Sequence, residues 1–240
     1  MTTASTNDNA QSGHRMPTYQ ALAHDIKNLG VECVFGLMSD DTALFATEID
    51  TIGIPFIGGR HENNAIAMAE GYSSTTGRLG IAIIGRGPAA ANGLHAAVSA
   101  SRTGSKVLII YGEMPVGGGA VNTIGPDYKA FNASGVLAAA GLQTFSPRSP
   151  QAARAALADA IVVASRGNAV TLHLPVDVQT ADIVVPDDDP GIVVPAPAPG
   201  APTRSQGIDA ALALLANSER PLIVAGLGAH RADAGKTLEK

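Results

Sequence analysis

Three consecutive residues, Arg60-His61-Glu62, place a cation, an imidazole and a carboxylate where an apolar stretch, IPFIGG, gives way to NNAIAMAEGYSSTTG. The second segment is rich in small residues and reads as a helix closed by Gly77. A carboxylate at such a junction, with Ala and Met behind it, sits half out of water. A half-dry carboxyl is the kind that exchanges protons, so Glu62 is the first candidate for catalysis. The position also has a plainer use. A first-turn carboxylate complements the partial positive charge of a helix N-terminus, and most such Glu residues do only that. His61 adjoins Glu62 and is a candidate to face a substrate. Arg86 is a second unusual residue, because it stands inside a Gly-Pro turn, Gly85-Arg86-Gly87-Pro88. It would be a surface residue, face an anionic substrate or neutralise a carboxylate, and the sequence alone leaves these open.

The same turn fits a further pattern. Gly85-Arg-Gly87-Pro-Ala-Ala90 matches G-x-G-x-x-A after a strand and before a helix, with Glu113 at the end of a later strand. That is the dinucleotide-binding arrangement, and it makes a nicotinamide- or flavin-dependent oxidoreductase an alternative. The fingerprint belongs to the first strand of its unit, whereas several strands precede this one. The simpler reading is a turn that lets backbone approach a ligand or a neighbouring subunit. Gly226-Leu-Gly228 lacks its third Gly, since Arg231 stands there, and Gly235-Lys236-Thr237 lacks the first Gly of a phosphate loop, since position 230 is His. The six His residues form no i, i+4 pair, and no G-x-S-x-G is present. Metal hydrolysis and Ser-His-Asp catalysis therefore have no support.

The elements that must position these residues alternate in type. Thr18 is placed to cap a helix whose Tyr19, Leu22, Ala23, Ile26 and Leu29 share a face, ending at Gly30. Strands are expected in VECVFGL, IPFIGG, GIAIIG, KVLIIYG, LQTFS and AVTLHLP. Helices are expected from Asp40-Asp41, from the Arg60 segment, after Pro88, over 128–140 and over 150–165. Strands this continuously apolar are buried on both faces, which predicts an α/β/α three-layer fold around a mostly parallel six-stranded sheet. Sites in such folds lie at the carboxyl ends of the strands. Leu37-Met38-Ser39, Arg60-His61-Glu62, Gly85 to Pro88 and Gly112-Glu113 are thereby predicted to converge on one rim. Residues 113–127 hold no periodicity and read as a functional loop.

The chain has 240 residues, 45% of them hydrophobic, a net charge of -5 and one cysteine, Cys33. No basic tract marks a nucleic-acid or anionic-membrane partner, and a single thiol cannot form an internal disulfide. Residues 1–15 read as a disordered polar tail without a signal peptide, and no apolar run reaches membrane-spanning length. A cytoplasmic location is expected. The domain holding the rim is expected over 16–182. Pro- and Asp-rich residues 183–204 read as a linker, and 205–240 as the start of a Rossmann-like second domain that the chain leaves incomplete.

RHENNAIAMAEGYSSTTG, then a strand, then GPAAAN, then a strand ending KVLIIYGE, together resemble the pyrimidine-binding domain of thiamine-diphosphate enzymes. The closest resemblance is to the acetolactate-synthase-like group, over roughly Pro17 to Asp182. This implies thiamine diphosphate as cofactor, with FAD admitted as a second one. It implies that Glu62 hydrogen-bonds N1′ of the aminopyrimidine and favours the 4′-imino form, whose nitrogen takes the thiazolium C2 proton. Leu37, Met38 and Ser39 stand where the group usually has Val-Pro-Gly against the pyrimidine. Gly85, Arg86, Gly87, Pro88 and Asn92 match a loop usually written S-G-P-G followed by Asn, with Arg for Ser and Ala89 for the last Gly. Gly85, Pro88 and Asn92 are thereby expected to bind cofactor. Phe131 and Asn132, in A-F-N, resemble A-F-Q of the synthases and join His61 and Arg86 as substrate candidates.

The resemblance further implies a small 2-keto acid as substrate, decarboxylated and joined to a second carbonyl compound. The loop 113–127 has no His-His pair, which argues against the pyruvate-decarboxylase branch. The Gly-Asp-Gly motif that holds the diphosphate through Mg²⁺ is absent from these residues, so Mg²⁺ is expected on a domain outside this chain. A homodimer or homotetramer is expected, with this piece inactive alone. The alternatives are a non-catalytic or separate-subunit pyrimidine-domain protein, or the oxidoreductase using Gly85–Ala90.

Overall fold

Every segment between Gly80 and Ile84 and between Val107 and Tyr111 is buried on both sides, and the period of two sorts their side chains onto opposite faces. In the computed structural model, which describes residues 13–118, 127–195 and 206–239, these segments form the centre of a parallel sheet. The chain divides into two compact units, Met1–Ala196 and Pro197–Lys240.

The first unit runs β1 (Gly13–Pro17), α1 (Thr18–Asn28), β2 (Val34–Gly36), α2 (Ala43–Thr51), β3 (Phe56–Gly58), α3 (Glu62–Thr76), β4 (Gly80–Ile84) and α4 (Ala89–Thr103). It continues with β5 (Val107–Glu113), α5 (Ala133–Ala139), β6 (Gln143–Phe145), α6 (Pro150–Ser165), β7 (Ala169–Pro175), α7 (Val176–Thr180) and β8 (Asp182–Pro186). Six strands pair in parallel in the order β3-β2-β4-β5-β7-β6. Ile81, Ile83, Leu108 and Ile110 pack with α1, α2 and α6 on one face, whereas Ala82, Ile84, Ile109 and Tyr111 pack with α3, α4 and α5 on the other. The expected three-layer α/β/α architecture is the observed one.

Several local expectations change. Gly13 to Arg15, expected in the tail, and Ile183 to Pro186, expected in the linker, instead form the antiparallel ribbon β1–β8. The two ends of the unit satisfy each other's backbone there, which neither could do alone. Thr18 does not cap α1, because its hydroxyl donates to the Ala181 carbonyl at 2.8 Å and ties the helix to that ribbon. Asp40-Asp41 do not open α2, which starts at Ala43, and the helix expected from Tyr128 starts at Ala133 behind an Asn132 cap. Residues 119–126, most of the loop expected to be functional, lie outside the described residues.

The second unit holds α8 (Gln206–Ala216), α9 (Leu227–Arg231) and α10 (Gly235–Leu238). No strand forms over the described residues 220–226, although the run Pro221-Leu222-Ile223-Val224 is apolar. Leu222 and Val224 are both 87% exposed, and a parallel strand needs neighbours to pair with.

The sheet leans on α3 through one close approach. A Cβ at Gly80 would lie 2.1 Å from the carbonyl oxygen of Ala69 and 2.8 Å from its carbon, so helix backbone rests directly on strand backbone. Gly80→Ala is expected to destabilise the protein by about 1–3 kcal/mol through overpacking. Urea unfolding would show this as a lower midpoint at unchanged slope, and a wild-type midpoint would mean that α3 can shift without cost.

Candidate functional site

The chain reverses its direction of travel across the sheet between β2 and β4. From β2 it moves outward to the edge strand β3, then crosses back over β2 to β4 and proceeds the other way. Helices that follow β2 and β4 therefore pack on opposite faces, which leaves a crevice at the carboxyl ends of these two strands. A cleft of about 350 Å³ opens there, lined by Leu37, Met38 and Ser39 after β2, Gly85, Arg86, Pro88 and Ala89 after β4, Glu62, Asn92, Tyr128 and Lys129. All seven positions expected to bind cofactor are thus brought together.

Glu62 reaches the crevice because α3 starts there. His61 is the extended residue before the helix, and its Nδ1 accepts the Asn63 N–H at 3.1 Å. The Asn63 side chain accepts the Ala96 N–H at 2.9 Å, which sets α3 against α4. That contact brings Asn92 to Glu62, and the Asn92 amide donates to Glu62 Oε2 at 3.1 Å. The Glu62 side chain is 15% exposed. Its other carboxylate oxygen carries no hydrogen bond to the protein among the described residues, and the group stands in the first turn of α3.

Beside Glu62 lies a charged cluster. Arg86 Nε donates to Asp41 Oδ1 at 2.8 Å, and its two terminal nitrogens donate to the Asp127 carboxylate at 2.9 and 3.0 Å. The Arg86 and Asp41 side chains are each 1% exposed. Lys129 Nζ donates to Asp41 Oδ2 at 2.8 Å and also to Asp40, and the Ser39 hydroxyl reaches both aspartates at 3.0 Å. Gln179 donates to the Asp41 and Leu174 carbonyls, so the backbone under the cluster is also held. Of the three uses open to Arg86, the structure selects the neutralisation of carboxylates. Its guanidinium is engaged on three sides, which removes it from the substrate candidates.

The Gly-rich turn is spent on the same cluster. Gly87 has φ +67°, and a Cβ there would lie 2.1 Å from the Lys129 carbonyl oxygen. The turn is shaped to receive the chain's own segment 127–130 rather than a pyrophosphate. Glu113, the later-strand carboxylate of that pattern, instead lies 3.6 Å from His173 Nδ1. Burial raises its pKa, but the His173 ring beside it and the Met114 N–H, which donates to it at 2.8 Å, outweigh this and hold it below the usual carboxylate range. The remaining substrate candidates are not in the cleft lining. His61 is about half exposed and occupied with its cap. Asn132 caps α5 by accepting the Gly135 N–H at 2.9 Å, and Phe131 precedes it, 37% exposed.

Sequence reasoning missed Asp41, Asp127, Tyr128 and Lys129. A signal existed: an Arg inside a Gly-Pro turn at a strand end needs carboxylates, and Asp40-Asp41 follow the neighbouring strand. The Lys129 hydrogen bond lowers the Asp40 pKa, and the Arg86 hydrogen bonds lower that of Asp127. Carboxylates with depressed folded-state pKa values contribute stability above their unfolded pKa of about 3.9 and lose it as pH falls through the folded value. Arg86→Met is expected to cost about 3 kcal/mol at pH 7, because it leaves Asp41 buried and short of a partner. It should also flatten the loss of stability below about pH 4. Urea midpoints of both proteins between pH 7 and 2.5 test this, and parallel acid limbs would show that the cluster does not couple to folding.

Comparison with known proteins identifies relatives of this domain. Residues 16–134 match the family described as thiamine pyrophosphate enzyme, N-terminal TPP binding domain. The chain is 28% identical over 230 residues to a glyoxylate carboligase of Escherichia coli, covering 94% of this chain and 38% of that protein. It is 27% identical over 234 residues to the acetolactate synthase large subunit of Corynebacterium glutamicum, covering 93% and 36%. It is 28% identical over 218 residues to an oxalyl-CoA decarboxylase of Escherichia coli, covering 90% and 38%. The chain thus spans little more than a third of the length of these relatives. A parallel six-stranded sheet, a cleft at its reversal point with a carboxylate on a helix start, and these matches together place the chain in the thiamine-diphosphate-dependent enzyme family, through its N-terminal cofactor-binding domain.

Proposed function

We infer that the full protein to which this chain belongs decarboxylates a small 2-keto acid and joins the product to a second carbonyl compound, in the manner of acetolactate synthases. The reading rests on Glu62: a shielded carboxylate at the crevice, with one oxygen held by Asn92 and the other turned to no protein donor.

The residues present fit an aminopyrimidine. Leu37, Met38, Pro88 and Ala89 give the cleft apolar walls suited to a flat ring. Glu62 supplies a hydrogen-bonding group at its edge. Thiamine diphosphate, when bound, supplies an acidic thiazolium C–H and the electron sink that 2-keto-acid decarboxylation and carboligation require. Glu62 would hold a proton at its free carboxylate oxygen, shared with N1′ of the ring. Asn92 would keep the carboxylate aimed by occupying Oε2. The apolar walls would exclude water from that bond, which strengthens it in a medium of lower dielectric. Lys129 and Arg86, neutralised by Asp40, Asp41 and Asp127, would brace the rim rather than meet the substrate.

Magnesium would be held with the diphosphate by a different domain. A partner subunit closing the open side of the cleft would bring the two ends of the cofactor together, hence a homodimer or homotetramer. No helix among the described residues is long and apolar enough to cross a membrane. The oxidoreductase alternative is not favoured, because Gly87 and Arg86 are occupied by segment 127–130.

Glu62→Gln in the full-length protein loaded with thiamine diphosphate and Mg²⁺ is expected to slow C2 hydrogen–deuterium exchange by about 10²–10⁴-fold, the usual size of an acid–base contribution. The unfolding midpoint should stay near wild type. Wild-type exchange in the variant would leave Glu62 as a helix-end carboxylate only.

A further inference from the structure

Behind Glu62 lies a polar atom that the reading above does not use. Tyr111 ends the most buried part of β5 and is itself fully buried, yet its hydroxyl has no hydrogen-bond partner among the described residues. A buried hydroxyl left unpaired is costly, and native proteins seldom tolerate one without a use. Its surroundings indicate where it points. A Cβ at Gly93 would lie 2.5 Å from Ile66 Cδ1, 3.5 Å from the Tyr111 hydroxyl and 3.7 Å from Cβ of Glu62, so all three side chains border one position beside α4. The missing side chain at 93 makes room for the Ile66 methyl beside the hydroxyl and Glu62. Gly93 follows Asn92, whose amide already holds Oε2 of Glu62.

The ring is fixed from behind. Tyr111 stacks on His173 with centroids 5.2 Å apart and planes 15° apart, and the His173 ring meets Thr171 Oγ1 at 3.2 Å. A ring clamped in this way can present its hydroxyl in only one direction. Burial, and then the charge of Glu62, raise the pKa of the phenol, so it stays a proton donor throughout the range in which enzymes work.

We propose that Tyr111 is a positioning residue for Glu62: its hydroxyl donates to the carboxylate oxygen that Asn92 leaves free, after a small turn of the Glu62 side chain, and holds the carboxylate from its buried side. Asn92 and Tyr111 then grip Glu62 from two elements, α4 and β5. The remaining lone pair faces the cofactor ring. This rests on the reading of Glu62 as the group that meets the aminopyrimidine.

Tyr111→Phe keeps the ring, its stack on His173 and the packing of the face. In the full-length protein with thiamine diphosphate and Mg²⁺, Tyr111→Phe is expected to slow C2 exchange about tenfold, the scale of one lost hydrogen bond to a charged group. The effect should vanish in a Glu62→Gln background. A second readout needs no turnover. With tyrosine labelled at ¹³Cζ, the resonance lost in Tyr111→Phe identifies this residue among the four tyrosines, and it should shift on Glu62→Gln in the free and the cofactor-loaded protein. Wild-type exchange in Tyr111→Phe, equal slowing in both backgrounds, or a Tyr111 resonance that Glu62→Gln does not move would each overturn the proposal. If Glu62→Gln itself leaves exchange unchanged, the reading of the site fails first and this inference falls with it.

Discussion

Arg86 is held by carboxylates that reach it from the loops after two other strands. Asp41 comes from the segment after β2, Asp127 from the segment after β5, and Arg86 itself follows β4. Three neighbouring strands of a parallel sheet end at this rim, and their loops have no ladder of hydrogen bonds to order them. A guanidinium with donors fixed in one plane can order all three at once, since each carboxylate must come to it along a set direction. Lys129 repeats the contact to Asp41 from the same segment as Asp127. Arg86 and Asp41 are buried, so this pair stands only while both charges keep their partners.

The cleft depends on this clamp as well as on sheet order. Reversal between β2 and β4 opens a crevice, but its walls are loop residues. Leu37, Met38 and Ser39 are anchored at one end by Leu37 N–H donating to the Ile83 carbonyl at 3.2 Å and at the other by Ser39 bonding the aspartates. Pro88 and Ala89 follow a Gly87 turn shaped by the Lys129 carbonyl. Glu62 is placed by a separate device, the packing of α3 on β4 at Gly80 and on α4 through Asn63. Two independent supports therefore meet at one carboxylate: charge for the walls, and close backbone packing for the acid.

Much of this was legible from residue order. Six apolar runs, five of them followed by a helical pattern, specified the layered sheet, because strands buried on both faces cannot alternate with polar residues. The rim followed from the rule that sites gather at strand ends. Glu62 was legible as a candidate, but its contact with Asn92 and its place in the cleft depend on α4, 30 positions away. Arg86 was legible as an anomaly without an explanation. Its partners lie 45 and 41 positions away, beyond any local pattern. Thr18, Asp40 and Asp41 were misread for the same reason: each is a good capping residue whose side chain was claimed by a distant partner.

The sequence by itself determined the periodicities, the order of elements and the chemical types available at each strand end. These are local properties, set by side-chain burial and backbone preference over a few residues. Only the tertiary structure decided which strand ends are neighbours, that Glu62 and Asn92 share a hydrogen bond, and that Arg86 is consumed by Asp41 and Asp127. It also decided that the Tyr111 hydroxyl, Ile66 and Glu62 border one position beside Gly93. The physical reason is that strand pairing order is long-range. It brings together residues that no spacing in the chain relates, and ion pairs and buried hydroxyls take their meaning from those neighbours alone.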